Sequence, residues 1–335
     1  MSVTTVLGDI NESELGVTSV HEHMFIDMRH CVVQTGYEPD LFFEKFEPSK
    51  RAFVCSDPYA ILDNALMDEF DIALKELVSF KKAGGNTIVD CTLDEIGRNP
   101  LLLKKLSELS GINIVVGCGN YYHIAHPDYV NKETVEQLAD RIYNDLTVGI
   151  GDSGVRAGVI GEIGTSAVMS ADEKKVLRAA GMVGSQTGKP VHVHTDLYTE
   201  NGFEVINILR GEGVNPDKIC IDHVDVLLRP DYIKALLELG VFVEFDNFGK
   251  EFYVSEQRRF AYDLERIRVL KELVDCGYTS QILVSNDICL KSMLETYGGN
   301  GYTHILNTVR YMAEQNGIES QYDSMLTDNV KRFFS

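Results

Sequence analysis

The sequence predicts an α/β fold, a single (β/α)8 TIM barrel over residues 1–335 with an elaborated first βα loop. Three observations predict it. Eight short β-branched runs alternate with longer segments of helical period along the whole chain. Strand, helix, strand in that rhythm joins parallel strands through right-handed crossovers. No low-complexity linker, composition break or sequence repeat divides the 335 residues, a length that one α/β barrel can fill.

The predicted strands cover residues 16–21, 87–91, 112–117, 155–162, 190–194, 218–223, 241–245 and 281–285. Helical periodicity covers 70–83, 100–110, 134–148, 171–186, 201–212, 229–239 and 257–276. Several helices run into a glycine (Gly84, Gly111, Gly188, Gly240), which takes the left-handed cap conformation at little steric cost. An open doubly wound sheet is the competing architecture. It would place a Gly-rich phosphate turn after the first strand, where this chain has His21-Glu22-His23. Residues 24–68, broken by Gly36, Pro39, Pro48 and Pro58, form the enlarged first loop and are expected to lie over the barrel mouth.

Lys and Arg number 31 against 51 Asp and Glu, a net charge of −20, and 44 % of residues are apolar. The apolar share suits a packed chain rather than a disordered one. The acidic balance argues against nucleic acid and against anionic membrane surfaces as partners. No run approaches the ~20 apolar residues of a membrane span, and residues 1–14 show no basic-then-apolar leader pattern. A cytoplasmic protein is expected. Its seven cysteines are scattered without a Cys-x-x-Cys spacing and are expected to be free. Cys91, Cys118, Cys220 and Cys289 lie in or beside apolar strand-like runs, as small hydrophobes do.

Of nine histidines, His21, His192, His194 and His223 fall at or near predicted strand ends, and His23 follows His21. Residues two apart on a strand face the same side, so His21 and His23 can chelate one ion. Glu162 closes the fourth predicted strand and Asp287 follows the eighth. Barrel enzymes carry their reacting groups at this end, and imidazole with carboxylate suits zinc or a related divalent ion. Singly, a His-x-His arises by chance and a strand-end carboxylate often caps a helix. The coincidence at strands one, four, five, six and eight selects a metal site. His192 is read as a hydrogen-bonded core histidine one layer below His194, and His30, His123, His126 and His304 as surface or loop residues.

Five motifs stand in order: Thr18-Ser19-Val20-His21-Glu22-His23, Gly161-Glu162-Ile163-Gly164-Thr165-Ser166, Val193-His194-Thr195, Asp222-His223-Val224-Asp225 and Val284-Ser285-Asn286-Asp287. In this order and spacing the chain resembles phosphotriesterase-like members of the amidohydrolase superfamily, from His21 to the closing segment 328–334. The resemblance implies two divalent ions, usually zinc, bridged by a hydroxide. It implies that His21, His23 and Asp287 hold the buried ion, that His194 and His223 hold the more exposed one, and that a carboxylate bridges both. Many relatives use a carboxylated lysine for that bridge. Residues 158–164 contain no lysine here; Glu162 takes the place, which matches a glutamate-bridged branch and makes insecticide-type triesterase activity a less expected role. The resemblance also implies a homodimer. Asp287 is the expected catalytic residue, accepting the proton of the attacking hydroxide. Asp225 either relays that proton or orients a ligand.

Substrate choice is expected in the loops. After strand seven, Lys250 and Tyr253 are candidates to bind an anionic group. After strand three, Asn120-Tyr121-Tyr122 offers aromatic walls, with Tyr122 as a candidate substrate contact. Lys291 is a weaker candidate, and Arg258 and Arg259 are expected on the solvated face of the following helix. The expected reaction is hydrolysis of a small anionic phosphorus ester, a phosphodiester or phosphonate monoester, by a centre of two Zn²⁺ ions. A lactonase acting on a sugar lactone is the alternative. A mononuclear deaminase would not need Glu162, and a non-catalytic binding protein would not need the whole ligand set.

Overall fold

The computed structural model describes residues 2–335 apart from 254 and 256–258. Eight parallel strands stand in sequential order: β1 (Thr18–Glu22), β2 (Thr87–Asp90), β3 (Asn113–Cys118), β4 (Val159–Gly164), β5 (Val191–His194), β6 (Ile219–Ile221), β7 (Phe242–Phe245) and β8 (Ile282–Val284). The sheet curls into a nearly closed barrel. At its seam the Asp287 N–H donates to the His21 carbonyl (3.1 Å) and the Asn286 N–H to the Glu22 carboxylate (3.0 Å), tying the end of β8 to β1.

The outer ring holds α1 (Phe70–Lys82), α2 (Pro100–Ser110), α3 (Val135–Thr147), α4 (Ala171–Thr187), α5 (Gly202–Gly211), α6 (Pro230–Glu238) and α7 (Asp263–Asp275). Their starts follow local chemistry. Ser170 and Glu173 form a capping box on α4, as do Thr134 and Gln137 on α3. Three helices, α8 (Thr308–Gln315), α9 (Glu319–Met325) and α10 (Asp328–Phe334), close the chain. No helix among the described residues is long and apolar enough to cross a membrane.

The structure corrects several boundaries. The fourth strand begins at Val159, because residues before it are drawn into a turn in which the Ile150 N–H donates to the Val155 carbonyl (2.8 Å). The seventh helix begins at Asp263, not at 257. Ahead of it the Phe260 N–H donates to the Phe252 carbonyl (2.9 Å), a bond that helical backbone would not make. Arg259 therefore precedes the helix and pairs with Glu265 in its first turn (2.9 Å), while Arg258 lies outside the described residues. An N-terminal hairpin of Ser2–Thr5 with Gly8–Asn11 was not expected from four-residue strands.

Two features position the site. A cluster of Val20, Cys91, Val115, Val159, Cys220, Phe242 and Leu283 packs with Val3, Leu15 and Phe333 into an apolar plug. Above it, period-two alternation turns His192 and His194 of β5, and Glu244 and Asp246 at the end of β7, toward the interior. The first loop lies where expected: Ile26–Asp27 pairs with Leu66–Met67 at its two ends, Phe46, Val54 and Ile61 give it a small core, and Met28, Cys31 and Tyr59 reach the barrel mouth.

Candidate metal centre

Strand ends bring the six expected ligands together. The Glu162 carboxylate stands at the middle, with Oε1 3.3 Å from His23 Nε2 and Oε2 3.4 Å from His21 Nε2, 3.1 Å from His194 Nδ1 and 3.7 Å from His223 Nε2. Asp287 Oδ1 lies 3.1 Å from His23 Nε2 and 3.9 Å from His21 Nε2. The backbone is shaped for this convergence. Gly161, before Glu162, has φ +117°, and a Cβ there would meet the His192 carbonyl at 2.3 Å. His223 and Asp287 take φ of 64° and 46°, left-handed conformations that non-glycine residues adopt where the surrounding structure enforces them.

The donor set fits divalent ions. His21, His23 and Glu162 form one group of possible ligands, and Glu162, His194 and His223 form another, so the two groups share Glu162. Neither nitrogen of the fully buried His21 has a hydrogen-bond partner, and the ring nitrogens of His194 and His223 stand only 2.7 Å apart. Buried polar atoms rarely go unsatisfied; cations between these groups would use their lone pairs. Other contacts orient the rings: His23 Nδ1 is 2.9 Å from the Thr92 hydroxyl and His223 Nδ1 3.0 Å from Asp246.

Charge follows the same geometry. Burial would raise the Glu162 carboxyl, but the histidines around it, His21 foremost, hold it well below the usual range. Burial opposes charge on His223 too, yet Asp246 and Glu162 lift it well above an ordinary histidine. His194 is lowered by burial and by neighbouring His223. Asp246, buried beside other carboxylates, is pushed up to about 8. Lys250 Nζ forms a close ion pair with Asp287 Oδ2; against the effect of burial, the pair lowers Asp287 and raises Lys250.

A cavity of about 430 Å³ opens over this cluster, lined by Tyr59, Tyr121, Lys250, Phe252, Phe260 and Cys289 among others. Lys250 is thus placed at the site. Tyr122 is not among the lining residues: its ring stacks near His194 (14°, centroids 6.1 Å), while Tyr121 lines the cavity and its hydroxyl stands 3.3 Å from His194 Nδ1. Tyr253 also lies outside the cavity, half exposed, with its N–H bonded to the Ser56 carbonyl (3.1 Å). Lys291 is buried against Asp63 (2.9 Å). Cys289 stands on the cavity wall rather than in a strand.

Asp225 has a structural place. Fully buried, it accepts from the Asn247 N–H (3.0 Å) and side-chain amide (2.9 Å), and lies 2.9 Å from Arg266 Nε. His192 is a core residue, with Nδ1 3.1 Å from Asp222 Oδ1. His304 is a buried one, 2.6 Å from Asp263, because α8 packs against α7. The sequence pattern does not single out Thr92, Glu244, Asp246 or Arg266, and it gives Asp222 only as a member of the Asp222-His223-Val224-Asp225 motif. A lone acid such as Glu244 inside Val243-Glu244-Phe245 was the available signal.

The model of the phosphotriesterase family matches residues 1–334. The chain belongs to the phosphotriesterase family. The N-acetyltaurine hydrolase of Xenopus tropicalis is 34 % identical over 99 % of this chain and 97 % of its own length. A resiniferatoxin-binding protein from Rhodobacter sphaeroides superposes with a TM-score of 0.97 at 30 % identity, covering 100 % of this chain and 95 % of its own. The phosphotriesterase homology protein of Escherichia coli, solved with phosphate in its active site, gives 0.81 at 28 %, covering 96 % and 99 %. A phosphotriesterase-like lactonase mutant from Deinococcus radiodurans gives 0.79 at 26 %, covering 99 % and 100 %. Membership in the phosphotriesterase family makes this chain a hydrolase acting on esters or amides.

Proposed function

We propose that this chain uses two divalent ions, most readily zinc, to hydrolyse the amide of a small N-acyl compound that ends in an anionic group, with N-acetyltaurine as the first candidate. The observation that carries the reading is Lys250. It is 4 % exposed and is the one Lys or Arg side chain among the described residues lining the cavity, beside a His and carboxylate cluster that can bind cations. A single buried ammonium suits one anionic end. The name of the Xenopus relative supports an amide with a sulfonate.

In this reading His21, His23 and Asp287 would hold one ion and His194 and His223 the other, with Glu162 shared between the two groups. When bound, such ions would lower the pKa of a water so that hydroxide is available at neutral pH, and would polarise the oxygen under attack. Asp287, kept ionised by Lys250, takes the proton of the attacking water and returns it to the leaving nitrogen. Lys250 holds the anionic end, and the Tyr121 hydroxyl stands beside His194 to orient the acyl group. Tyr59, Phe252 and Phe260 wall off water.

The second reading keeps the site and changes the bond. An anionic phosphorus ester is supported by the Escherichia coli relative with its phosphate, and a lactone by the Deinococcus enzyme. The test is acetate release from N-acetyltaurine by the zinc-loaded protein, beside a phosphodiester, a phosphonate monoester and a sugar lactone. Turnover of the amide above the others is expected. Turnover of only a phosphorus ester or lactone moves the substrate to the second reading, and no turnover of any overturns the proposal.

A further inference from the structure

Beneath the metal centre four side chains close a ring. His21 Nδ1 lies 3.6 Å from Asp222 Oδ2 and 3.6 Å from Glu244 Oε2. His192 Nδ1 lies 3.1 Å from Asp222 Oδ1 and 3.4 Å from Glu244 Oε2. Each imidazole therefore faces both carboxylates, and all four residues are fully buried.

The ring is incomplete in one respect. Glu244 Oε1 accepts from the Ser285 hydroxyl (2.6 Å), but Glu244 Oε2, Asp222 Oδ2 and His192 Nε2 have no hydrogen-bond partner, nor has either nitrogen of His21. Asp246 Oδ2 also stands 3.5 Å from His21 Nδ1, yet it already accepts from the His223 N–H (3.0 Å). When His21 serves as a metal ligand it keeps one proton and offers one lone pair. The two orphan oxygens on the Nδ1 side draw the proton there, since a buried carboxylate without a donor is costly. The lone pair then lies on Nε2, the nitrogen 3.4 Å from Glu162.

We propose that Asp222 and Glu244, joined through His192, are positioning residues that hold His21 with its proton on Nδ1 and its Nε2 lone pair toward the metal site. None of these four side chains lines the cavity, so Asp222 and Glu244 act on the reaction indirectly, through His21. This inference rests on the metal-binding reading above.

The test compares native protein with Glu244→Gln and Asp222→Asn. Zinc affinity, read by competition with a chelator, should fall about 10- to 100-fold in each, as loss of such outer partners does. In ¹⁵N NMR of the zinc-loaded native protein, His21 should be bound through Nε2 and carry a protected Nδ1–H, and the variants should shift that signal or speed its exchange. Folded variants with native affinity and an unchanged Nδ1–H would overturn the proposal, as would zinc on Nδ1 of the native protein. Three zinc equivalents falling to two in Glu244→Gln would overturn it by making the ring an ion site. If neither variant folds, the native His21 signal decides alone. A native protein that binds no zinc would instead remove the metal-binding reading itself.

Discussion

At the scale of single residues, the proposed chemistry rests on Lys250 and Asp287. They form an ion pair at the cavity; in the proposed function Asp287 would hold a cation and Lys250 an anionic substrate. Replacing Lys250 with Met removes a buried charge-assisted contact worth about 1.5–3 kcal/mol, so kcat/KM on anionic substrates should fall about 10- to 100-fold. Neutral analogues should lose far less; equal losses would mean that Lys250 reads no charge. His223 gives a second prediction. Against burial, Asp246 and Glu162 raise it well above an ordinary histidine, which favours its protonated form in the metal-free chain. A cation has to displace that proton, and metal affinity should rise with pH through neutrality. Calorimetry in buffers of different ionisation heat would show the released proton; affinity flat over about pH 6 to 9 would contradict the assignment.

The loop after β7 is held by its neighbours at the scale of elements. Fully buried Arg266 on α7 lies 2.9 Å from Asp225 Oδ2, donates to Asp263 Oδ1 (2.9 Å) and donates to the Lys250 carbonyl (3.1 Å). The Gly249 N–H also donates to Asp263 (2.9 Å). This bracket fixes Lys250 from behind. Arg266→Met should leave two buried carboxylates short of a partner, at a cost of about 3–5 kcal/mol, visible in chemical denaturation. In whatever fraction stays folded, KM for anionic substrates should rise more than kcat falls. A variant with native stability would show the bracket to be idle.

At the scale of the molecule, most of the barrel was legible because its signals are periodic. Val191-His192-Val193-His194 announces by alternation which residues face the interior, and Gly111 ends α2 where expected. The convergence of the candidate ligands was legible because these residues recur at strand ends. What escaped depends on rotation and packing that no period encodes: Tyr121 rather than Tyr122 turns into the cavity, and the Phe260 N–H bonds to the Phe252 carbonyl before α7 starts. The layer of Asp222, Glu244 and Asp246 escaped because a strand pattern gives facing, not what lies across the barrel. Metal should also stabilise the whole fold. At a free concentration 100 times Kd it contributes about 2.7 kcal/mol, so a chelator should lower Tm and added zinc should restore it; an unmoved Tm would contradict metal binding at this site.

The proposed chemistry depends on a pair of ions that share Glu162. Metal content per chain, measured by mass spectrometry on zinc-loaded protein and on Glu162→Ala, tests it most directly. Two ions in the native chain, and fewer in the variant, are predicted. One ion or none in the native chain, or two in both, would contradict the bridge.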